Sequence, residues 1–153
     1  SRIAPTVVPK SRPLAADNWE AEARLFGEAL GQADAMEAAI AEVHGRSAAL
    51  AETLEEADAG GSANLIRWMP QGPMVMSEQL FTSGLIAEAG LDLSDAGLVR
   101  DGVVHSDTLS LENLSRLDGD WLFLATLNEE GQEALDAARR SPCIYRFTCS
   151  QPP

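Results

Sequence analysis

Residues 62–90, SANLIRWMPQGPMVMSEQLFTSGLIAEAG, constrain the fold more than any other stretch. An apolar, strand-like run over 64–69 carries a single cation, Arg67, near its end. A turn containing Gly and Pro follows, and then a helical pattern expected over 77–89, with Ser77 as its N-cap and Gly90 after its end. Strand, polar turn and helix start are the grammar of an open α/β sheet, and such sheets hold small ligands beyond the carboxyl ends of their strands. Strand alternation sends Arg67 and Trp68 to opposite faces, so one of the two faces the core unless the strand has already ended. Paired with a surface carboxylate, Arg67 would be worth at most about 1 kcal/mol. As a ligand group it would present a planar fork of donors to an anionic oxygen ligand such as a catecholate, hydroxamate or carboxylate. On that second reading Gln71, Met74 and Met76 line a pocket mouth; on the first, the methionines fill core.

The flanking segments divide the chain into three. Residues 1–16 hold Pro5, Pro9 and Pro13 around IAPTVV and read as an extended remnant of a preceding lobe. Residues 17–60 are helical: Trp19, Leu25, Phe26 and Leu30 mark one apolar face, with Asp17 or Asn18 as its N-cap. Gly31 breaks the helix, and Met36, Ile40, Val43, Leu50 and Leu54 mark a second, longer one that ends before Gly60-Gly61. Residues 61–153 alternate. After the strand and helix above come a loop over 97–105, a short helix over 110–117 capped by Ser110, and the apolar run WLFLAT, which reads as a buried parallel strand. A helix over 129–140 and a final strand over 143–147 close the pattern. The fold class expected is α/β, a three-layer, mostly parallel sheet flanked by helices, preceded by a long N-terminal helix.

Charge narrows the partners. The chain carries 24 acidic against 11 basic residues, a net charge of −13, which disfavours nucleic acid and anionic membrane surfaces. No apolar run approaches the roughly 20 residues of a transmembrane helix. No HxxH, CxxC or acidic cluster has metal-ligand spacing, and no GxSxG, P-loop or GxGxxG is present. No metal site, resident cofactor or catalytic residue is therefore expected. His44 reads as an exposed helix residue. Cys143 and Cys149 would lie roughly 20 Å apart along one strand, too far to bridge.

Four segments together resemble the iron-siderophore and cobalamin class of ABC-transporter substrate-binding proteins. IAPTVVP resembles the strand that closes the family's N-terminal lobe, and NWEAEARLFGEALGQADAMEAAIAEVHGR resembles its helical stretch with the long interlobe helix. ANLIRWMPQGPMVM followed by SGLIAEAGLDL resembles the opening of the C-terminal lobe, and TLSLENLSRLDGDWLFLAT resembles that lobe's "I-S-L-E-x-L … D-x-D-x-L-F-V". The ending SPCIYRFTCSQPP matches the family only in part. The resemblance implies a connecting helix plus a C-terminal lobe, cut off from a first lobe. It implies a solute-binding component of an ABC importer for ferric siderophores, with iron present only inside the bound chelate. It places Arg67, Ser106, Thr126 and Asn128 along the ligand cleft and gives Glu112 the role of docking onto the membrane permease; Trp68, beside Arg67 on the strand, and Met76, at the pocket mouth, join the ligand-binding candidates from the residues themselves. It also implies a periplasmic or extracellular location with a lipoprotein anchor on the full-length protein, and self-association through the face left by the missing lobe. From the residues alone, an acidic α/β module that binds a protein partner through its long helix remains a second reading, and an enzyme with an unrecognised site a third.

Overall fold

The computed structural model describes residues 6–8 and 19–140. The expected strand over 143–147, both cysteines, the caps at Asp17 and Asn18 and most of 1–16 lie outside the described residues. The chain forms two compact units.

The helical unit holds α1 (Trp19–Ala29), α2 (Ala33–Glu56) and residues 79–90 with α3 (Phe81–Glu88). Gly31 separates α1 from α2 with φ +65, a left-handed backbone that glycine adopts without steric cost. Gly27 lets the two helices approach: a Cβ there would lie 2.7 Å from Met36 Cβ. Ile40 is buried on α2.

The second unit, 61–78 and 91 onward, is a sheet centred on β1 (Gly61–Met69). β4 (Trp121–Thr126) runs parallel along one edge of β1, from Ala63↔Trp121 to Trp68↔Thr126. Along the other edge, β3 (Leu91–Leu93) pairs in parallel with Gly61–Ala63, and β2 (Gly72–Val75) pairs antiparallel with Ile66–Met69. The sheet is thus mostly parallel and the fold α/β, as expected. On one face, Ile66 and Trp68 of β1 and Val75 of β2 pack against Leu135 of α4 (Glu129–Arg139) and against Leu114 and Leu117 of the 3-10 helix Leu111–Arg116 and its exit. Gly131 allows α4 this close, because a Cβ there would meet Trp68 O at 2.8 Å.

Four local expectations change. The PQGP stretch is a hairpin with Pro70 and Gln71 as its two-residue loop, since Met69 pairs with Gly72. Ser77 does not cap α3: its amide donates to Val104 O, and the helix starts after Leu80. Ser110 precedes a 3-10 rather than an α-helix and makes no side-chain cap to it. WLFLAT is parallel, but Trp121, Leu122 and Phe123 are 40%, 40% and 36% exposed, not buried.

Candidate functional site

β1 and β4 run in the same direction, so their carboxyl ends meet at Arg67–Met69 and Thr126. This is the end of an open α/β sheet at which ligands bind. Alternation fixes which side chains share a face. The row Met74–Arg67–Ala125 lies on one face, and the row Pro73–Trp68–Thr126 on the other, with the core helices.

Arg67 is the unusual member. Its side chain is half-buried, and its buried Nε has no hydrogen-bond partner among the described residues. Among the described residues, Nη2 donates to a thioether, Met74 Sδ at 3.7 Å, a weak acceptor. Among the described residues no carboxylate forms an ion pair with it. A buried guanidinium N–H normally finds a partner, because leaving it unmade costs about 1–3 kcal/mol. The arrangement is therefore not a structural ion pair among the described residues.

The other residues singled out by sequence sit nearby in different capacities. Trp68 is 4% exposed in the core cluster, on the face opposite Arg67. Met76 is 8% exposed, with its amide donating to Leu65 O and its backbone bridged to His105. Ser106 is buried: its Oγ accepts from Val75 N at 3.0 Å and donates to Asp107 O at 2.7 Å, pinning the 105–107 loop to β2. Thr126 Oγ1 donates to Gln132 Oε1 at 3.3 Å. Asn128 N-caps α4 by accepting from Gly131 N at 2.9 Å, which satisfies one of the amides a helix start leaves open. Thr126 and Asn128 therefore lie at the carboxyl end of β4, beside the carboxyl end of β1. Glu112 is exposed on the 3-10 helix. Sequence reasoning places Met74 only as a pocket-mouth or core residue; its register opposite Arg67 follows from the hairpin whose loop is Pro70 and Gln71.

The opposite end of the sheet is tied down by polar groups. Asn64, 2% exposed, donates Nδ2 to Ser94 O at 2.8 Å and accepts from Gly119 N at 3.0 Å. The Ser62 amide and then its hydroxyl, each 2.9 Å from Asp120 Oδ2, hold the Asp120 carboxyl below its usual range. These bonds align the start of β4 with β1 and thereby set the register that places Arg67 beside Ala125. Among the described residues no group of three or more His, Cys, Asp and Glu is arranged to hold a metal ion, and no helix is long and apolar enough to cross a membrane.

Solved structures share this architecture. The iron-uptake system-binding protein FeuA from Bacillus subtilis superposes with TM-score 0.72 at 21% identity, covering 91% of this chain and 50% of that one. FeuA complexed with ferri-bacillibactin gives 0.70 at 20% identity, covering 89% and 48%. Staphylococcus aureus SirA complexed with staphyloferrin B gives 0.66 at 15% identity, covering 93% and 51%. At these identities the likeness establishes the fold, and the chain spans about half the length of these structures. A comparison with curated proteins finds no match. The model of the periplasmic binding protein family matches residues 1–147, and this chain belongs to that family.

Proposed function

We propose that this chain supplies one wall of a cleft that holds a ferric siderophore or similar oxygen-rich chelate, as part of the solute-binding component of an ABC importer. The observation that carries the reading is Arg67, a guanidinium with a buried, unpartnered Nε at the carboxyl end of a parallel strand. A catecholate, hydroxamate or carboxylate oxygen would satisfy it, and a planar fork recognises such oxygens better than a point charge does. Thr126 and Asn128 border the same strand ends, and Trp68, Met76 and Ser106 stiffen the wall from inside. The solved relatives captured with ferri-bacillibactin and staphyloferrin B support this ligand class. Iron enters only inside the ligand, and the role is binding without catalysis. Members of this family are extracytoplasmic substrate-binding transport proteins; a lipoprotein anchor and docking of exposed Glu112 onto a basic permease surface complete the proposal. Self-association finds no support among the described residues.

One wall buries about half of a ligand, whereas good small-molecule sites bury roughly 70–90%. The 153-residue chain should therefore bind ferric catecholates or hydroxamates only weakly, at micromolar affinity or worse. Equilibrium titration by tryptophan fluorescence, with Arg67→Met in parallel, tests this. Weak binding abolished by the substitution supports the proposal. Submicromolar binding, or weak binding indifferent to Arg67, overturns it.

A further inference from the structure

In the helical unit, His44 of α2 stands between carboxylates from two other helices. Its Nδ1 lies 2.5 Å from Glu88 Oε1 of α3, and its Nε2 lies 3.1 Å from Glu20 Oε1 of α1. A carboxylate can only accept, and a neutral imidazole has one N–H and one lone pair. In either neutral tautomer, one of the two contacts would therefore set a lone pair against an anionic oxygen. Only the imidazolium donates to both. The surroundings favour that cation. The Trp19 ring centroid lies 5.7 Å from the imidazole, within the range of cation–π attraction, and Trp19 also packs 5.4 Å from Phe81 at the start of α3. Arg24 Nη1 binds Glu20 Oε2 at 3.1 Å and its Nε binds Glu37 Oε1 at 2.7 Å. The result is an alternating series, Glu37–Arg24–Glu20–His44–Glu88, that crosses all three helices. Among the described residues, the charged groups in contact with the ring are Glu20 and Glu88; Glu37 of α2 reaches it only through Arg24 and Glu20.

We propose that His44 is a proton-operated clasp: as imidazolium it fastens α1 and α3 to α2, and loss of its proton releases α3 from Glu88 inward. The hydrogen bond to Glu88 first, and Glu20 after it, raise the proton affinity of His44 above its ordinary value of 6.5, with burial opposing them. A group whose folded pKa is raised stabilises the fold fully below the unfolded value. That contribution is lost as pH rises through the folded value. The clasp is closed in mildly acidic medium and opens on the alkaline side, which matters for a protein outside the cytoplasm, where the medium sets the pH. The inference is independent of the chelate site.

Imidazole NMR titration of the 153-residue chain decides it, His44 being distinguished from His105 by a His105→Gln variant. The expected result is a His44 midpoint above 6.5, shared by backbone amide shifts over 81–88. Glu88→Gln, an exposed change, should lower the midpoint and uncouple those amides. His44→Gln should leave them indifferent to pH in that window; should that variant not fold, the first two measurements still decide. A His44 midpoint at or below 6.5, or α3 amides that ignore it, overturns the clasp.

Discussion

Arg67→Met separates a functional arginine from a structural one by a sign. The substitution keeps an unbranched stem of similar reach and removes the guanidinium head. On the structural side it loses one weak contact, Nη2 to Met74 Sδ at 3.7 Å. It also removes a buried Nε–H that has no acceptor, a group whose burial costs about 1–3 kcal/mol. The relief outweighs the loss. The unliganded variant should thus be more stable than the parent by about 1 kcal/mol, or at worst equal to it. For a chain of this size that corresponds to a rise in Tm of about 2–4 °C. Urea denaturation followed by circular dichroism measures the change, and an unaltered denaturant slope would show that both states keep their exposed surface. The same variant should lose whatever chelate binding the parent has, the pattern of a site held ready at a cost in stability. Destabilisation by about 1 kcal/mol or more would mean that the guanidinium holds the lobe together, and the ligand reading would fall with it.

Other substitutions test the frame that positions this residue. Gly131→Ala gains up to about 1 kcal/mol in helix propensity, but its Cβ would meet Trp68 O at 2.8 Å, and backbone overpacking costs about 1–3 kcal/mol; thermal melting should show a net loss. Asn64→Asp removes the donor to Ser94 O and sets a buried charge against that carbonyl, so urea denaturation at neutral pH should show a loss of about 2–4 kcal/mol that shrinks in acid, where the new carboxyl is protonated. Asp120 contributes stability above its unfolded value of 3.8 and loses it as pH falls through the depressed folded value; Asp120→Asn should therefore flatten the acid limb of the stability profile and leave the alkaline limb unchanged.

The elements that could be read from sequence are those whose signals lie within a few residues. The break at Gly31 is local: an apolar stripe ends, and a glycine takes φ +65. β1, β4 and α4 are equally local, whereas the cap that Asn128 makes on α4 is absent from the sequence reading, which places that residue only at the cleft. The alternation of Arg67 and Trp68 required one of them to face the core, and Trp68 is the one that does. The failures have a common form: a local signal overruled by a distant partner. Ser77 and Glu78 look like a helix start, yet the Ser77 amide is taken by Val104 O across the fold. Gly72-Pro73 looks like an open turn, yet Pro73 sits opposite Trp68 in a ladder, and its carbonyl accepts from Leu109 N. Proline is tolerated at such a strand position where no ladder bond needs its missing N–H.

His44 carries the same lesson furthest. On its own helix it is an ordinary polar residue between alanine-rich turns, and nothing in that neighbourhood distinguishes it. Its two partners, Glu20 and Glu88, lie 24 and 44 residues away along the chain, and only packing of α1 and α3 on α2 brings both oxygens to one ring. Arg67 is the converse. Its significance comes from what packing fails to supply, since the sheet buries its Nε and sets a sulfur where an acidic partner would be expected. An excess of acidic residues, 24 against 11 basic ones, makes that omission telling. With so many carboxylates in the chain, a half-buried arginine with no anionic partner among the described residues is the observation on which the proposed chelate site rests.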